Sequence, residues 1–170
     1  PMSTLSVDTI QGKTTAGTVA MPADMVVQTK FHSFSTQTTT TSTSDVDITD
    51  SSFSFTPKFA SSLLIIRCDV AAKVSRSSAA GNGWSLHIAV DGTKIMPAGN
   101  KYENYYEVSA SANHTFYVRN SKEVSLNASN TSAKTIKLIG NLYTDANSGT
   151  FLINDSGSYT SSIRVMEIAQ

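Results

Sequence analysis

Histidine, cysteine and paired carboxylates are where a sequence first shows chemistry, and in these 170 residues they are sparse. His32, His87 and His114 stand far apart, and no G-x-S-x-G elbow accompanies them, so a nucleophile with its base and orienting group has no local signature. His87 alternates out of the apolar side of its strand, and all three histidines read as surface or interface residues. Cys68 is the single cysteine. It permits no internal disulfide, and its place in an apolar run makes it a small core residue. Asp45, Asp47 and Asp50 form the one acidic group; in extended chain, Asp45 and Asp47 share a face, as two acceptors for a hard cation would. The glycine and distal glutamate of a calcium loop are missing, so these read as solvated edge charges that discourage aggregation. The expectation is no catalytic residue, no metal and no cofactor. The aromatic group Trp84, Tyr102, Tyr105 and Tyr106 is different, because ring faces with Asn and Asp nearby are what a sugar-binding surface requires. Trp84 fits the buried side of its strand, which leaves Tyr102, Tyr105 and Tyr106 as candidate glycan contacts. Tyrosines also populate subunit interfaces.

The element that must position these groups is Leu63 to Val74. Read with period two, Leu64, Ile66, Cys68, Val70, Ala72 and Val74 make an uninterrupted apolar face, while Leu63, Ile65, Arg67, Asp69, Ala71 and Lys73 begin apolar and turn charged. This is the pattern of a central strand. Trp84, Leu86, Ile88 and Val90 alternate in the same way and run into Asp91-Gly92, a hairpin signal. Met25 to Phe34, Val46–Ile48, Phe53–Phe55, Thr115–Val118, Val124–Asn127, Ile136–Leu142, Phe151–Ile153 and Ile163–Ile168 add shorter runs, and Tyr102–Val108 reads as strand or loop. Ser35 to Ser44 is low in complexity and reads as a loop or irregular edge. Ser75 to Gly83 reads as a polar loop, and Phe59 as a plug at one end of the core. About ten strands with turn signals at sandwich spacing, and no helical stripe, predict an all-β antiparallel jelly-roll sandwich. An immunoglobulin-like sandwich is the alternative.

Length and composition agree with one domain, residues 25–170, preceded by an arm, residues 1–24. Thirteen basic residues balance thirteen acidic ones, so no long-range field draws in nucleic acid or an anionic membrane. No apolar run approaches the roughly 20 residues of a bilayer span, so membrane insertion is not expected. Within the arm, Leu5, Val7 and Ile10 are isolated among Thr, Ser and Gly, too interrupted to carry a core. The arm orders against a partner or stays a disordered leader; composition leaves both readings open.

The opening STLSVDTIQGKTTAGTVAMP, Ser3 to Pro22, resembles a signature at the start of many tail-fibre-like and other virion structural proteins of marine bacteriophages. The segment Phe55-Thr56-Pro57-Lys58-Phe59-Ala60-Ser61-Ser62, the strand ending in Asp91-Gly92-Thr93 and the closing Ile163 to Ile168 are similar to the family pattern as well. The resemblance implies a non-enzymatic virion component, made in the host cytoplasm, with a jelly roll of the tumour-necrosis-factor or complement-head kind assembled as a homotrimer. It gives the arm a role, docking Leu5, Val7 and Ile10 onto other virion proteins. Apolar residues on both sides of a strand need a second partner, so Phe31, Leu63 and Ile65 are expected at the threefold interface. With no heptads or repeats between arm and domain, a short fibre, fibre tip or capsid decoration fits better than a complete long fibre. A glycan-binding adhesin is the alternative function.

Overall fold

The computed structural model describes residues 23–76, 80–95, 104–108, 114–142 and 149–170, with the backbone alone at 80–82, 104–108 and 114. Among the described residues twelve strands follow one another: β1 (Val26–Phe34), β2 (Thr38–Thr40), β3 (Val46–Asp47), β4 (Phe53–Phe55), β5 (Leu63–Arg76), β6 (Ala80–Val90), β7 (Thr93–Lys94), β8 (Asn104–Val108), β9 (His114–Asn127), β10 (Lys134–Leu142), β11 (Thr150–Ile153) and β12 (Ser161–Ile168). All of the pairings are antiparallel.

Several strands share one lane. β12 and β11 lie end to end along one side of β5, at Leu63–Asp69 and Ala72–Ser75, while β9 covers its other side. β1 and β2 line up in the same way against β12 and β11. The first sheet is therefore β1/β2, β11/β12, β5, β9. In the second, β3 and β4 share one side of β10, β6 lies on its other side, and β7 and β8 share the far edge of β6. Counted by lanes, the sheets run 1-8-3-6 and 2-7-4-5, the double Greek key of a jelly roll. The immunoglobulin-like alternative is set aside.

β5 shows why the sandwich closes. Leu64, Ile66, Cys68, Val70, Ala72 and Val74 are all buried, as their period-two spacing predicts, and they meet Leu86, Ile88, Ile136 and Leu138 of the opposite sheet. Trp84 is buried as expected, stacked on Phe151 with ring centroids 6.1 Å apart. The Asp91-Gly92 turn has positive φ at both residues, 50° and 80°, as a tight hairpin demands.

Several expectations need correction. The polar stretch Ser75 to Gly83 is largely strand, since β5 continues to Arg76 and β6 begins at Ala80. Thr115–Val118 and Val124–Asn127 belong to one 14-residue strand, β9. Pairing with β5 along its whole length carries the polar middle of β9 through. Of the two readings of the low-complexity tract, loop or irregular edge, Thr38–Thr40 takes the edge, as a short strand beside β11. Phe59 does not plug the core, because the turn it occupies leaves it exposed. His87, read as a surface or interface residue, is buried within the subunit itself. Ser85, His87 and Ala89 point away from the inter-sheet core yet are covered, and Asp45 and Lys94 pair at 2.5 Å across this second face.

Candidate functional site

The acidic group offers no cation site. Asp45 is held by Lys94 and by the Asn141 amide at 2.7 Å, and Asp47 by Lys137 at 2.7 Å, so lysines take the acceptors that a metal would use. Burial alone would raise the Asp45 carboxyl, but its bonds to Lys94 and Asn141 hold it below the ordinary value. Among the described residues, no group of three His, Cys, Asp or Glu side chains is placed to hold a metal ion. His32 binds the Asp50 carbonyl at 2.7 Å and stacks on Phe53, which makes it a brace between β1 and the Asp50 turn. Burial, with Lys94 and Lys122 adding to it, keeps the His87 imidazole below its usual range.

The face with most to offer is the outer side of the first sheet. Cross-strand rows fix which residues share it. Val26, Ile168 and Leu63 form one row, Thr29, Met166 and Ile65 the next, and Phe31, Arg164, Arg67 and Glu123 the third. Thus Phe31 of β1 lies on one surface with Leu63 and Ile65 of β5, more than thirty residues later, with Val26, Met166 and Ile168 between and beside them. Phe31 is 64% exposed, high for a phenylalanine, and Val26 is exposed as well. Above this apolar end runs a charged belt. Arg67 meets Asp69 at 3.3 Å and donates to the Ser121 hydroxyl at 3.2 Å, while that hydroxyl bonds Asp69. The Ser121 bond is the main reason that the Asp69 carboxyl sits below its usual range.

At the far end, the lane shared by β11 and β12 is broken between Ile153 and Ser161 by a short excursion containing a 3-10 turn, Asp155–Gly157. Asn154, Ser156 and Gly157 adopt left-handed backbone, with φ of 55°, 57° and 66°. The excursion leaves a cleft of about 210 Å³ against β5 and β9, bordered by Ala71, Lys73, Tyr117, Arg119, Asp155 and Tyr159. Lys73 meets Asp155 at 2.8 Å and lies 5.4 Å from the centroid of the Tyr117 ring. The Asp155 bond raises the Lys73 ammonium above its usual range. Tyr117 and Tyr159 are 62% and 46% exposed.

Of the other candidates, Leu5, Val7, Ile10 and Tyr102 lie outside the described residues. Tyr105 and Tyr106 are in β8, paired with Gly83 and Asn82 on an edge of the second sheet, and only their backbone is described. Sequence reading missed the pairing of Tyr117 with Tyr159. Both are tyrosines beside a charged residue or a turn, but only the sheet topology brings them together.

Neither a protein-family model nor a curated protein matches the sequence. Among solved structures, the chain is similar to the infectious bursal disease virus VP2 subviral particle, at 13% identity and a TM-score of 0.38 over 96% of this chain and 42% of that one. The Gt strain of the same virus gives 14% identity and a TM-score of 0.34, over 100% of this chain and 43% of that one. The chain thus spans less than half the length of these structures. Likeness at this level bears on neither function nor assembly.

Proposed function

We propose that this chain is a virion structural protein, a homotrimeric surface knob fixed to the particle by residues 1–24. The observation that carries the reading is the outward apolar end of the first sheet, where Phe31, Leu63 and Ile65 converge with Val26, Met166 and Ile168. A contiguous apolar surface on a sheet whose other side already packs the core needs a second partner. A copy of the same chain satisfies that need through a closed ring. The jelly-roll topology and the phage-like opening at Ser3 to Pro22 support the virion setting. The structural role assigns no catalytic residue.

Phe31→Glu tests the trimer. The exposed site and the adjacent Arg164 leave the isolated subunit able to accept the carboxylate. Light scattering should give a trimer for the parent chain and a monomer with unchanged circular dichroism for the variant. A monomeric parent at micromolar concentration sinks the reading.

A further inference from the structure

We propose that the cleft between Tyr117 and Tyr159 binds one six-membered sugar ring carrying a carboxylate, a hexuronic acid residue of a surface polysaccharide. This goes beyond the knob reading and occupies a different part of the molecule. Ala71 lies six residues along β5 from Ile65, roughly 20 Å at ordinary strand rise, and the Arg67–Asp69 belt comes between. A subunit contact at the apolar end leaves the cleft open.

Size comes first. A cleft of about 210 Å³ holds one ring and not a chain, below the usual volumes of drug-sized sites. Its shape follows from the sheet: Ala71 and Lys73 of β5 lie beside Arg119 and Tyr117 of β9, and the excursion closes the third side with Asp155 and Tyr159. The small Ala71 side chain keeps the floor low between two tyrosine walls. Two exposed aromatic side chains flanking a shallow floor suit the apolar C–H face of a pyranose, and their hydroxyls suit its rim.

The charges select the class of sugar. Lys73 and Asp155 neutralise each other at 2.8 Å and keep polar atoms at one end for hydroxyl groups. Arg119 stands at the other end. Among the described residues it donates to the Thr160 carbonyl at 3.4 Å, and a guanidinium carries five N–H donors in a planar fork that matches a carboxylate. The cleft therefore has one net positive charge, placed where an acid group on the ring would reach it.

The test titrates the isotope-labelled 170-residue chain with methyl glucuronide and, separately, methyl glucoside to tens of millimolar, following amide shifts by nuclear magnetic resonance. Saturable shifts confined to residues 117–119, 71–73 and 155–160 are expected for the glucuronide, with a dissociation constant of about 1 mM, and a response at least ~10-fold weaker for the glucoside. Tyr159→Ala, at an exposed position, should weaken binding of the glucuronide ~10-fold or more, and Arg119→Gln should remove the preference for the acid. No saturable shift in a folded sample, an equal response to both sugars, or full binding by Tyr159→Ala overturns the proposal. Light scattering on the same samples reads the oligomer separately, so failure here and failure of the trimer are told apart.

Discussion

Glu167 is an acid placed where the alternation of β12 asks for an apolar residue, and it is fully buried. Its carboxylate accepts from the backbone N–H of Lys58 at 2.8 Å and of Phe59 at 3.0 Å, and from the Gln28 amide at 2.6 Å. One side chain thereby ties the Pro57–Phe59 turn and β1 to the last strand. Burial pushes the carboxyl up, but these donors prevail and hold it below the ordinary glutamate value of 4.5. A carboxyl depressed by folding stabilises fully above its unfolded pKa and loses that contribution as pH falls through the folded one. Glu167→Gln should therefore cost about 1.5–3 kcal/mol at neutral pH, and urea midpoints should show the penalty shrinking below pH 4.5. Lys122 and Cys68 form a second titrating pair, opposite each other on β9 and β5. Burial pushes the Lys122 ammonium down to about 8, and burial pushes the Cys68 thiol up to about 11. The unfolded chain holds the lysine proton up to 10.5 and loses the thiol proton from 9.0. Stability should thus rise from pH 8 to 9 through Lys122 alone, and from 9 upward Cys68 opposes it. Lys122→Met should flatten the rise, read from urea midpoints across that range. Cys68 was legible as core from its strand pattern. Glu167 was not, because its donors come from a turn more than a hundred residues earlier.

Asn154 is the joint of the broken lane. Fully buried and at φ 55°, it donates to the Phe34 carbonyl at 3.1 Å and accepts from the Ser161 hydroxyl at 2.6 Å. It connects the break between β11 and β12 to the break between β1 and β2. Alanine would remove these bonds and fit left-handed backbone less well, so Asn154→Ala should destabilise by about 2–3 kcal/mol. Thermal melts measure the loss, and hydrogen exchange should quicken first at 154–160. The long strands were legible because period two marks them directly: β5, the apolar part of β6, and β10. The errors fall where pairing overrides local composition. β9 reads as two pieces because Asn120, Ser121 and Lys122 interrupt its apolar pattern, yet each has a partner on β5. His87 reads as a surface or interface residue because alternation shows which side of a strand a residue takes and not what lies over that side.

For the molecule as a whole, removal of residues 1–24 should leave a folded trimer that no longer joins the particle, checked by light scattering and by its absence from purified virions. Incorporation of the truncated chain would falsify the attachment role. The class of fold was readable from strand number and turn spacing, whereas the 1-8-3-6 order was not, since it depends on which distant strands pair. For the same reason, the candidate surface was legible only in part. Phe31, Leu63 and Ile65 could be singled out by their side of a strand, but the Tyr117–Tyr159 cleft joins residues from a strand and an excursion. β1 enters beside the end of β12, where Asp24 donates to the Ala169 carbonyl at 2.9 Å and Ala169 to the Met25 carbonyl at 2.9 Å. Tension between the two chain ends would peel this ladder open one bonded pair at a time, like a zipper. Tension between Asp24 and a ligand held at the excursion instead runs along β1 and loads its rungs together in shear. The domain is thus mechanically weak to a pull on its two ends and strong to a pull between the start of β1 and the opposite pole.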